Sequence, residues 1–594
     1  ADSRSAALNA TWAKSLGVGA SLTLNGLVQR SDSRSLNGLN AVVLRAPDGT
    51  AFQRTTLLPQ PLASRTVSNT VSAGATLNKP VGAWLLAWTA DGTHVATTTS
   101  NDSRADLSGL QALVDGGALL VNGPLPAAAI LPVQPGEARS RSDTATTLAT
   151  LTGGPLRLPG GQTALTLKTG FAWSGIAARD SRGLAPETRL RRGDAQAGFS
   201  FDLPITSRRE GFGAGLGDLS LNLNGEVHSL SDFGQLKAYG AALTWAPLAK
   251  LTLTANYIAS EKAPGLADLG APVTVTSAVA LYDFSRGETV LATVTTGGNP
   301  ALRKERQRDF KLSANWDLPI GKESALLVEY LRNRSSDTTN PFPLLTADVE
   351  AAFSGRVQRD SAGRIVAVDQ RAVTFADVRG NRLRTSLNFG GGFGKPDPAA
   401  QRRPFAGARG GGGGSGGGTR PGGGDGRGHW NFSLAYTAEF AETAQIVPGG
   451  RVLDLLGGDA LSGAGVARHS ATLEGGGFYR GFGLRVSGNF TSGTHVGNTA
   501  GNQFEPGIPQ GAGRLDFGPL ATFNLRAFVD LGRKPGLVAK APFLKGTRIV
   551  LGVTNLFDGQ QKVTDASGAT PLRYLPGYLD PEGRVFNLEL RKQF

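Results

Sequence analysis

The sequence contains no cysteine and no methionine in 594 residues, and it has only five histidines. Without cysteine, the chain has no disulfide, no cysteine-ligated zinc, no iron–sulfur cluster and no cysteine nucleophile. The histidines are far apart in the sequence and leave little for a metal or general-base centre: His94, His228, His429, His469 and His495. No run of 18 or more apolar residues occurs. This excludes a membrane protein built of helices.

The sequence also lacks an initiator methionine and shows no signal peptide at Ala1. We therefore expect a mature or truncated fragment of a longer chain. The 83 glycines and 32 prolines stay below the level that signals pervasive disorder. The net charge of +14 is spread over the predicted loops and turns. Such a spread does not indicate a nucleic-acid-binding face.

Strict alternation of apolar and polar residues is the dominant pattern along the chain. Between Lys250 and Ser260, apolar residues occupy the odd positions, and Thr, Asn or Ser occupies most of the even ones. The same period recurs in segments 165–173, 219–227, 430–440, 523–531, 549–553 and 586–594. About nineteen such segments, with small polar residues on one face, predict an all-β, transmembrane antiparallel barrel.

The connections between these segments alternate in length, as short periplasmic turns and long extracellular loops do in bacterial barrels. The long connections are predicted near 33–66, 99–141, 175–192, 260–305, 331–380, 441–467, 491–519 and 558–583. The short ones include 14–17, 79–82, 246–249, 318–323 and 480–481. Five tryptophans lie close to the predicted short turns, as expected for an interfacial girdle: Trp12, Trp84, Trp245, Trp316 and Trp430.

An odd number of strands would put the two chain ends on opposite sides of the membrane, whereas single-chain bacterial barrels have even strand numbers. We therefore expect three further strands before Ala1, which makes 22. A barrel of 22 strands is of the size that holds a plug in its lumen. The expectation is that residues 1–594 form most of one barrel domain whose plug and first strands lie outside this sequence.

Four segments resemble motifs of the TonB-dependent outer-membrane transporters. Thr554–Asp558 (TNLFD) resembles the NLFD segment that closes the penultimate strand. Gly298–Glu305 (GNPALRKE) resembles the family's GNPxLxPE segment, with Lys304 in place of proline. Lys262–Leu269 (KAPGLADL) resembles RAPxLxEL. The last strand resembles the signal read by the outer-membrane assembly machinery, although Lys592 occupies a usually apolar position: Phe586, Leu588, Leu590 and Phe594.

The resemblance spans the whole chain and implies a receptor in the outer membrane of a Gram-negative bacterium. It implies active uptake of a scarce nutrient, driven through TonB, with a ferric siderophore, a cobalamin-like cofactor, an oligosaccharide or a peptide as cargo. The plug and the TonB-contacting segment of the family are not visible in the sequence, and no residue can be assigned to cargo binding. Two alternatives stay open: a passive, porin-like channel, and a surface adhesin or receptor that does not transport.

The segment Gly407–Gly428 (GARGGGGGSGGGTRPGGGDGRG) has the most unusual composition. An RGG-like nucleic-acid contact would need aromatic residues to stack on bases, and the segment has none. A contact with a periplasmic protein is the other functional reading. The simpler prediction is a flexible periplasmic turn joining two strands.

The densest basic cluster lies at the foot of a predicted extracellular loop: Arg303, Lys304, Arg306 and Arg308. Anionic lipopolysaccharide head groups or an anionic cargo are candidate partners for this cluster. The alternative is an ordinary solvated loop face. The lumen-facing positions assigned from the pattern are Thr, Ser and Asn, which argues against the charged rings of an open channel.

Catalysis is not predicted. His495 and His469 lie near the predicted rim and His228 near the upper end of its strand, but no GxSxG segment accompanies them. Glycines 390–392 and 475–477 fall inside predicted strands, where they permit bends or close packing. No helix follows them, so they do not indicate a phosphate site. We predict neither a cofactor nor a metal.

Overall fold

The computed structural model describes residues 2–36, 41–47, 51–55, 62–102, 108–131, 133–181, 187–283, 286, 288–320, 323–394, 427–459, 461, 464–497, 514–533, 535–571, 574–580 and 582–593. The strands are β1 (Asp2–Gly17), β2 (Ala20–Leu36), β3 (Ala41–Arg45), β4 (Ala51–Thr55), β5 (Ala63–Val81), β6 (Trp84–Asn101), β7 (Gly136–Gly153), β8 (Arg157–Leu158), β9 (Gly161–Gln162), β10 (Ala164–Asp180), β11 (Thr188–Thr206), β12 (Asp218–Leu230), β13 (Gly234–Leu248), β14 (Leu251–Lys262), β15 (Thr274–Asp283), β16 (Glu288–Thr296), β17 (Glu305–Asp317), β18 (Glu323–Asn340), β19 (Val357–Arg359), β20 (Ile365–Asp369), β21 (Val373–Phe393), β22 (Gly428–Gln445), β23 (Val452–Asp454), β24 (His469–Tyr479), β25 (Phe482–Thr491), β26 (Thr494–Val496), β27 (Leu515–Phe517), β28 (Leu520–Asp530), β29 (Thr547–Thr554), β30 (Val563–Asp565) and β31 (Val585–Lys592).

The helices are short and lie in the connections. They are α1 (Ser108–Asp115), α2 (Leu266–Gly270), α3 (Ala347–Ala352), α4 (Pro535–Lys540) and α5 (Pro576–Leu579), with 3-10 turns at Ala127–Ala129, Ala214–Leu216, Ser354–Arg356, Leu531–Arg533 and Pro542–Leu544. In the part of the chain that the structure describes, no helix is long and apolar enough to cross a membrane.

The main sheet has 20 strands. One of them, β23, is a three-residue strand that pairs with the end of β22. The other nineteen pair antiparallel with their neighbours in chain order, from β1 and β2 to β29 and β31. The predicted meander of about nineteen strands is therefore confirmed. Among the described residues, β1 and β31 do not pair with each other, so they are the edges of this ladder, and 22 strands stays a prediction.

The two faces of the ladder differ as the alternation predicts. On β17, Phe310, Leu312 and Trp316 lie on one face and are 39% to 46% exposed. Their cross-strand partners continue the same apolar face, for example Tyr257 on β14 beside Phe310. We call this apolar face the outer face, because large exposed apolar side chains on many consecutive strands suit contact with lipid. The opposite, polar face is the inner face.

Five of the seven tryptophans mark one end of the ladder. Trp12, Trp245, Trp316 and Trp430 are each 41% to 51% exposed and lie within five residues of the end of their strand. Trp84 is the first residue of β6 at the same end. The two-residue turns also lie here, including Arg480-Gly481, whose positive φ angles of 49° and 86° suit the turn type that follows strand twist. We call this the turn end and the opposite end the loop end.

The predicted connection lengths need two corrections. Strands extend beyond the predicted loop boundaries, so the connection predicted at 331–380 spans only 341–372. The hairpins continue because backbone pairing, such as Thr338 with Phe375, satisfies the polar groups above the apolar band. In addition, β12 and β13 are joined at the loop end by the three residues 231–233, which breaks the strict alternation of long and short connections.

Candidate functional site

Five connections at the loop end fold together. They join β14 to β17, β18 to β21, β22 to β24, β25 to β28 and β29 to β31, and we call their described residues within 263–304, 341–372, 446–468, 492–519 and 555–584 the loop cap. Because each connection contributes a small number of apolar residues, no one of them can bury a core alone. The cap is therefore a shared structure.

The first part of the loop cap is a four-stranded sheet of β15, β16, β20 and β19. It combines two connections, because β16 pairs in parallel with β20 of the next connection. Val294, Val349 and Val368 are buried in its apolar core, which also takes in Phe375 at the base of β21 and Leu453 of the β22–β24 connection. Thr346 caps the start of α3, and its hydroxyl accepts a hydrogen bond from the Val349 amide.

An ion-pair cluster links the strands of this sheet to α3. The Arg359 guanidinium donates to Asp283 at 2.6 Å and to both Glu350 oxygens at 2.7 Å. The Asp283 side chain is 1% exposed. The hydrogen bonds to Glu350 raise the pKa of Arg359 above its ordinary value. Burial acts in the opposite direction, and Asp283 raises the pKa further. Arg359 thus holds two elements of the cap together through charges that are largely removed from water.

The second part of the loop cap is a three-stranded sheet of β26, β27 and β30, drawn from the last two long connections. Val496, Leu515 and Val563 form its core with Phe517 and Tyr574. Leu344 packs against this core, whereas the adjacent Leu345 belongs to the core of the first sheet. Both halves of the cap therefore meet at residues 344 and 345.

A cavity of about 1010 Å³ lies between the two parts of the loop cap and the inner face of β28. All five connections contribute to its wall. Its longest continuous wall is Asn340–Leu345 (NPFPLL), whose prolines favour extended backbone. The amide of Leu344 anchors this wall by donating to the Leu461 carbonyl at 2.8 Å. The cavity is the candidate binding site.

The cavity wall is mostly apolar and aromatic, with Phe342, Phe517, Tyr574 and Leu281 among its members. Its polar groups are chiefly amides, including Asn340, Gln370 and Gln561. Among the described residues of the wall there is no lysine or arginine, and Asp580 is the only charged one. A wall of this kind suits a ligand with apolar surface and hydrogen-bonding groups rather than a polyanion.

The inner face carries charges, so the prediction of Thr, Ser and Asn at lumen positions is wrong in part. Lys168 on β10 reaches across Gly198 on β11 to Glu226 on β12, with 2.7 Å between Nζ and Oε2. A Cβ on Gly198 would lie 2.8 Å from the Lys168 Cε, so the glycine makes this crossing possible. His228 continues the row between Glu226 (3.2 Å) and Asp194 (2.9 Å).

Other inner-face charges are also paired across strands. Lys311 contacts Glu329, Arg485 lies 2.9 Å from Glu474, and Arg526 lies 3.2 Å from Glu589. The period-2 pattern indicated which positions face inward but could not show these pairings, since each joins residues 11 to 63 positions apart. Paired charges on the wall do not form a ring of one sign.

The two segments that resemble loop motifs pack on each other. Asn299 donates its amide to the Asp268 carbonyl at 2.7 Å, and Gly298 donates to Ala271 at 2.9 Å. A Cβ on Gly298 would lie 2.5 Å from the Gly270 nitrogen, so only glycine allows this contact. The segments Lys262–Leu269 and Gly298–Glu305 therefore form one structural unit at the base of the cap.

The predicted basic cluster is largely neutralised. Arg303 pairs with Asp337 at 2.8 Å, and Lys304 and Arg306 both pair with Glu261 at 3.3 Å. Arg308 has no carboxylate partner among the described residues and lies on the outer face next to Phe310.

The histidines are not brought together. His469 bonds to the Tyr436 hydroxyl at 2.7 Å, and His495 lies 3.2 Å from the Gly457 carbonyl. His94 lies 2.6 Å from Asp143. Within the described ranges, no group of three or more His, Asp or Glu side chains is placed to hold a metal ion.

The TNLFD segment closes β29 by a side-chain turn. Asn555, 5% exposed, has a φ of 52° and bonds both ways with Gly559, accepting from its amide at 2.8 Å and donating to its carbonyl at 3.0 Å. Asp558 accepts from the Arg584 amide at 3.0 Å, which ties the turn to the start of β31. The motif thus has a structural role at the loop end.

The last strand presents one apolar face, with Phe586, Leu588 and Leu590 each 69% to 76% exposed. Phe594 lies outside the described residues. Lys592 has a local reason for not being apolar, because its ammonium donates to the Lys545 carbonyl at 2.6 Å and also to the Phe543 carbonyl. It thereby fastens the segment before β29 to the end of β31.

Most of the glycine-rich segment 407–428 also lies outside the described residues. The strands that flank it are β21, which ends at Phe393, and β22, which begins at Gly428. Both of these strand ends lie at the turn end, and a flexible periplasmic turn at 407–428 stays a prediction. Glycines 390–392 and 475–477 lie within β21 and β24, also as predicted.

No protein-family model matches the sequence, and no curated protein matches it. Solved structures do match. The siderophore receptor PirA from Acinetobacter baumannii is 12% identical, with a TM-score of 0.51 over 99% of this chain and 78% of that one. The outer membrane transporter YddB from Escherichia coli is 11% identical, with a TM-score of 0.52 over 99% and 75% of the two chains. The ferripyoverdine receptor of the outer membrane of Pseudomonas aeruginosa, bound to ferripyoverdine, is 10% identical, with a TM-score of 0.53 over 94% and 62%.

At these identities the similarity is one of fold. The chain has the β-barrel fold of outer-membrane receptors and transporters. This confirms the predicted β-barrel fold, and the solved structures that match belong to the class of proteins that the sequence motifs resemble. The cavity was not predicted from the sequence, and the one available signal was the apolar NPFPLL run inside an otherwise polar predicted loop.

Proposed function

We propose that the chain is the barrel of an outer-membrane transporter that takes up a scarce nutrient by TonB-dependent transport. The observation that carries this proposal is the cavity at the loop end, built by five connections that fold into one cap. A passive pore does not need such a structure in order to conduct solutes, whereas a receptor needs a preformed surface that binds its cargo. The plug and the TonB contact that the family resemblance implies belong to this proposal as parts of the complete protein.

We further propose that the cargo enters at the loop end and binds in the cavity. The cavity volume of about 1010 Å³ suits a cargo larger than a simple metabolite. Because the described wall is aromatic and amide-rich and has no cation, the cargo is neutral or weakly cationic. Among the classes that the resemblance implies, a neutral siderophore complex or an apolar peptide fits this wall better than a polyanionic chelate.

The last strand is proposed as the assembly signal, through the exposed apolar face of Phe586, Leu588 and Leu590 together with Phe594. The outer-membrane assembly machinery would read this face before the barrel closes. Replacing Leu588 by Ser is expected to lower the amount of protein in the outer membrane, as measured by immunoblot of membrane fractions. Replacing the inner-face neighbour Asn587 by Ser is the matched control and leaves that amount unchanged.

Depletion of the growth medium tests the proposed transport. Cells with and without the gene are grown on limiting nutrients, and the compounds they remove are compared by mass spectrometry, with and without a protonophore. We expect one apolar, neutral or cationic compound to disappear only from cultures of energised cells that carry the gene. Depletion that persists with the protonophore would support the passive channel, and identical media would support the adhesin.

A further inference from the structure

A second, smaller cavity of about 410 Å³ adjoins the large cavity of the loop cap. The two cavities share Gln560 and Asp580 as wall residues. Gln560 follows the TNLFD turn, and Asp580 directly follows α5. We call the smaller cavity the side chamber. The loop cap therefore has a mostly apolar compartment and a mostly polar one, and the two meet at Asp580.

The wall of the side chamber is acidic. Its described residues include Asp558, Asp580 and Glu582, with Arg584 as the one cation among them. These carboxylates do not converge on one point, since no group of three or more His, Asp or Glu side chains in the described ranges is placed to hold a metal ion. A metal ion needs convergent oxygen ligands. Carboxylates spread around a wall suit an organic cation instead.

Backbone amides hold two of these carboxylates in place. One oxygen of Asp580 accepts from the Gly583 amide at 3.2 Å, and one oxygen of Asp558 accepts from the adjacent Arg584 amide at 3.0 Å. The amide of Asp580 itself donates to the Pro576 carbonyl at 2.9 Å, which ties it to α5. Among the described residues, no side chain donates to either carboxylate. Each therefore keeps an oxygen, Oδ2, for a ligand.

The large cavity complements such a charge with aromatic surface. Phe517 and Tyr574 meet edge to face on its wall, with 5.7 Å between the ring centroids, and Phe342 lines it as well. Aromatic faces pack against apolar groups and also attract cations. Because Asp580 is the only charged residue among the described residues of this wall, a positive charge on the cargo has one place at which it is bound directly.

We propose that Asp580 selects a cargo that carries a protonated amine. The apolar body of the cargo fills the large cavity, and its ammonium group donates to Asp580 where the side chamber begins. A hydrogen bond between an ammonium and a carboxylate is stronger than one between neutral groups. This inference rests on the proposed function and narrows the cargo to an amphipathic cation, such as an apolar peptide with a free amino group.

Isothermal titration calorimetry of the full chain in neutral detergent tests the proposal with three probes that share one apolar body. Diphenylalanine amide is the cation, N-acetyl-diphenylalanine amide is neutral, and N-acetyl-diphenylalanine is the anion. We expect the parent to bind the cation about 10-fold to 100-fold more tightly than the neutral probe, and the anion most weakly. Raising the salt concentration should reduce the preference for the cation, since salt screens charge interactions.

The test variant is Asp580→Asn, which keeps an oxygen for the Gly583 amide but removes the charge. It should lose most of the preference for the cation and still bind the neutral probe. Gln560→Glu adds a carboxylate to the shared wall and should increase the preference. Glu474→Gln is the control, because it removes a negative charge from the inner face of β24 outside both cavity walls, and it should keep the preference of the parent.

Equal binding of the cationic and neutral probes by the parent, or an undiminished preference in Asp580→Asn, would overturn the proposal and leave the proposed transport standing. Failure of all three probes to bind would overturn it together with the assignment of the cavity as the cargo site. Depletion of the growth medium separates the two proposals further. A compound without an amine that only energised cells with the gene remove would support transport and contradict the role of Asp580.

Discussion

Replacing Arg359 by Met removes the cation that joins α3 to the sheet of the loop cap. Asp283, which is 1% exposed, and Glu350 then face each other without the guanidinium that bonds to both. Removing one partner of a buried ion pair costs about 3 to 5 kcal/mol, because the remaining charge is left uncompensated. Arg359 is itself 22% exposed, so we take the lower end of this range.

Hydrogen–deuterium exchange followed by mass spectrometry measures this cost locally. A loss of about 3 kcal/mol raises the exchange rate of amides that open with the cap by about 100-fold. The affected peptides are those of β16 and β20, while the ladder strands β5 to β7 keep their protection. Arg364→Met is the matched control, since Arg364 and Asp360 form a pair at 3.2 Å whose side chains are 37% and 30% exposed, and such a solvent-accessible pair is worth less than about 1 kcal/mol.

The reasoning would be refuted if Arg359→Met and Arg364→Met gave the same exchange in β16 and β20. It would also fail if the ladder strands lost protection together with the cap. The first result would mean that the apolar core of the cap carries its stability without the ion pairs. The second would mean that cap and barrel unfold as one unit.

Three further predictions concern single residues. Burial raises the pKa of Asp369, but the hydrogen bonds from Arg371 outweigh burial, so the pKa in the folded protein lies below the ordinary 3.8. Hydrogen-exchange protection of β20 should therefore hold above pH 3.8 and fall as the pH drops through the lowered pKa of the folded protein. Asp369→Asn should flatten this profile in exchange measurements. Gly298→Ala places a Cβ 2.5 Å from the Gly270 nitrogen and should destabilise the base of the cap by about 1 to 3 kcal/mol, which limited proteolysis would detect as faster cleavage there. Gly355→Ala is the control, because its Cβ would meet open space, and it should leave the cleavage rate unchanged. Lys592→Met removes the donor to the Lys545 carbonyl and should lower barrel stability by about 1 kcal/mol. The temperature at which the mobility of the protein in SDS gels changes measures this loss. A stability equal to that of the parent would show that this contact is not formed.

The sequence predicted the barrel well because its signal is local. The side-chain period of two can be read within each strand alone. Tryptophans at one strand end mark the membrane interface, and no distant residue is needed to recognise them. The ladder of nineteen strands, the turn end marked by Trp316 and the fold class all follow from such patterns. The motif segments were also recognisable, since each spans only nine residues or fewer.

The loop cap could not be predicted in the same way. The parallel pairing of Thr293 with Ala367 joins residues more than seventy positions apart, and the cavity needs walls from five connections. The charge row through Lys168 and Glu226 depends on a glycine of the strand between them. These features arise from tertiary packing, so the periodicity of the sequence could not predict them. The inner-face charges were missed for this reason.

Site-specific labelling tests most directly the central claim that the cavity opens to the outside at the loop end. The chain has no native cysteine, so single cysteines can be placed at Gln560 on the cavity wall and at Val18, 99% exposed at the turn end. With a membrane-impermeant maleimide on intact cells, we predict labelling of Gln560→Cys, and labelling of Val18→Cys only after the outer membrane is permeabilised. Labelling of Val18→Cys but not of Gln560→Cys in intact cells would contradict the account.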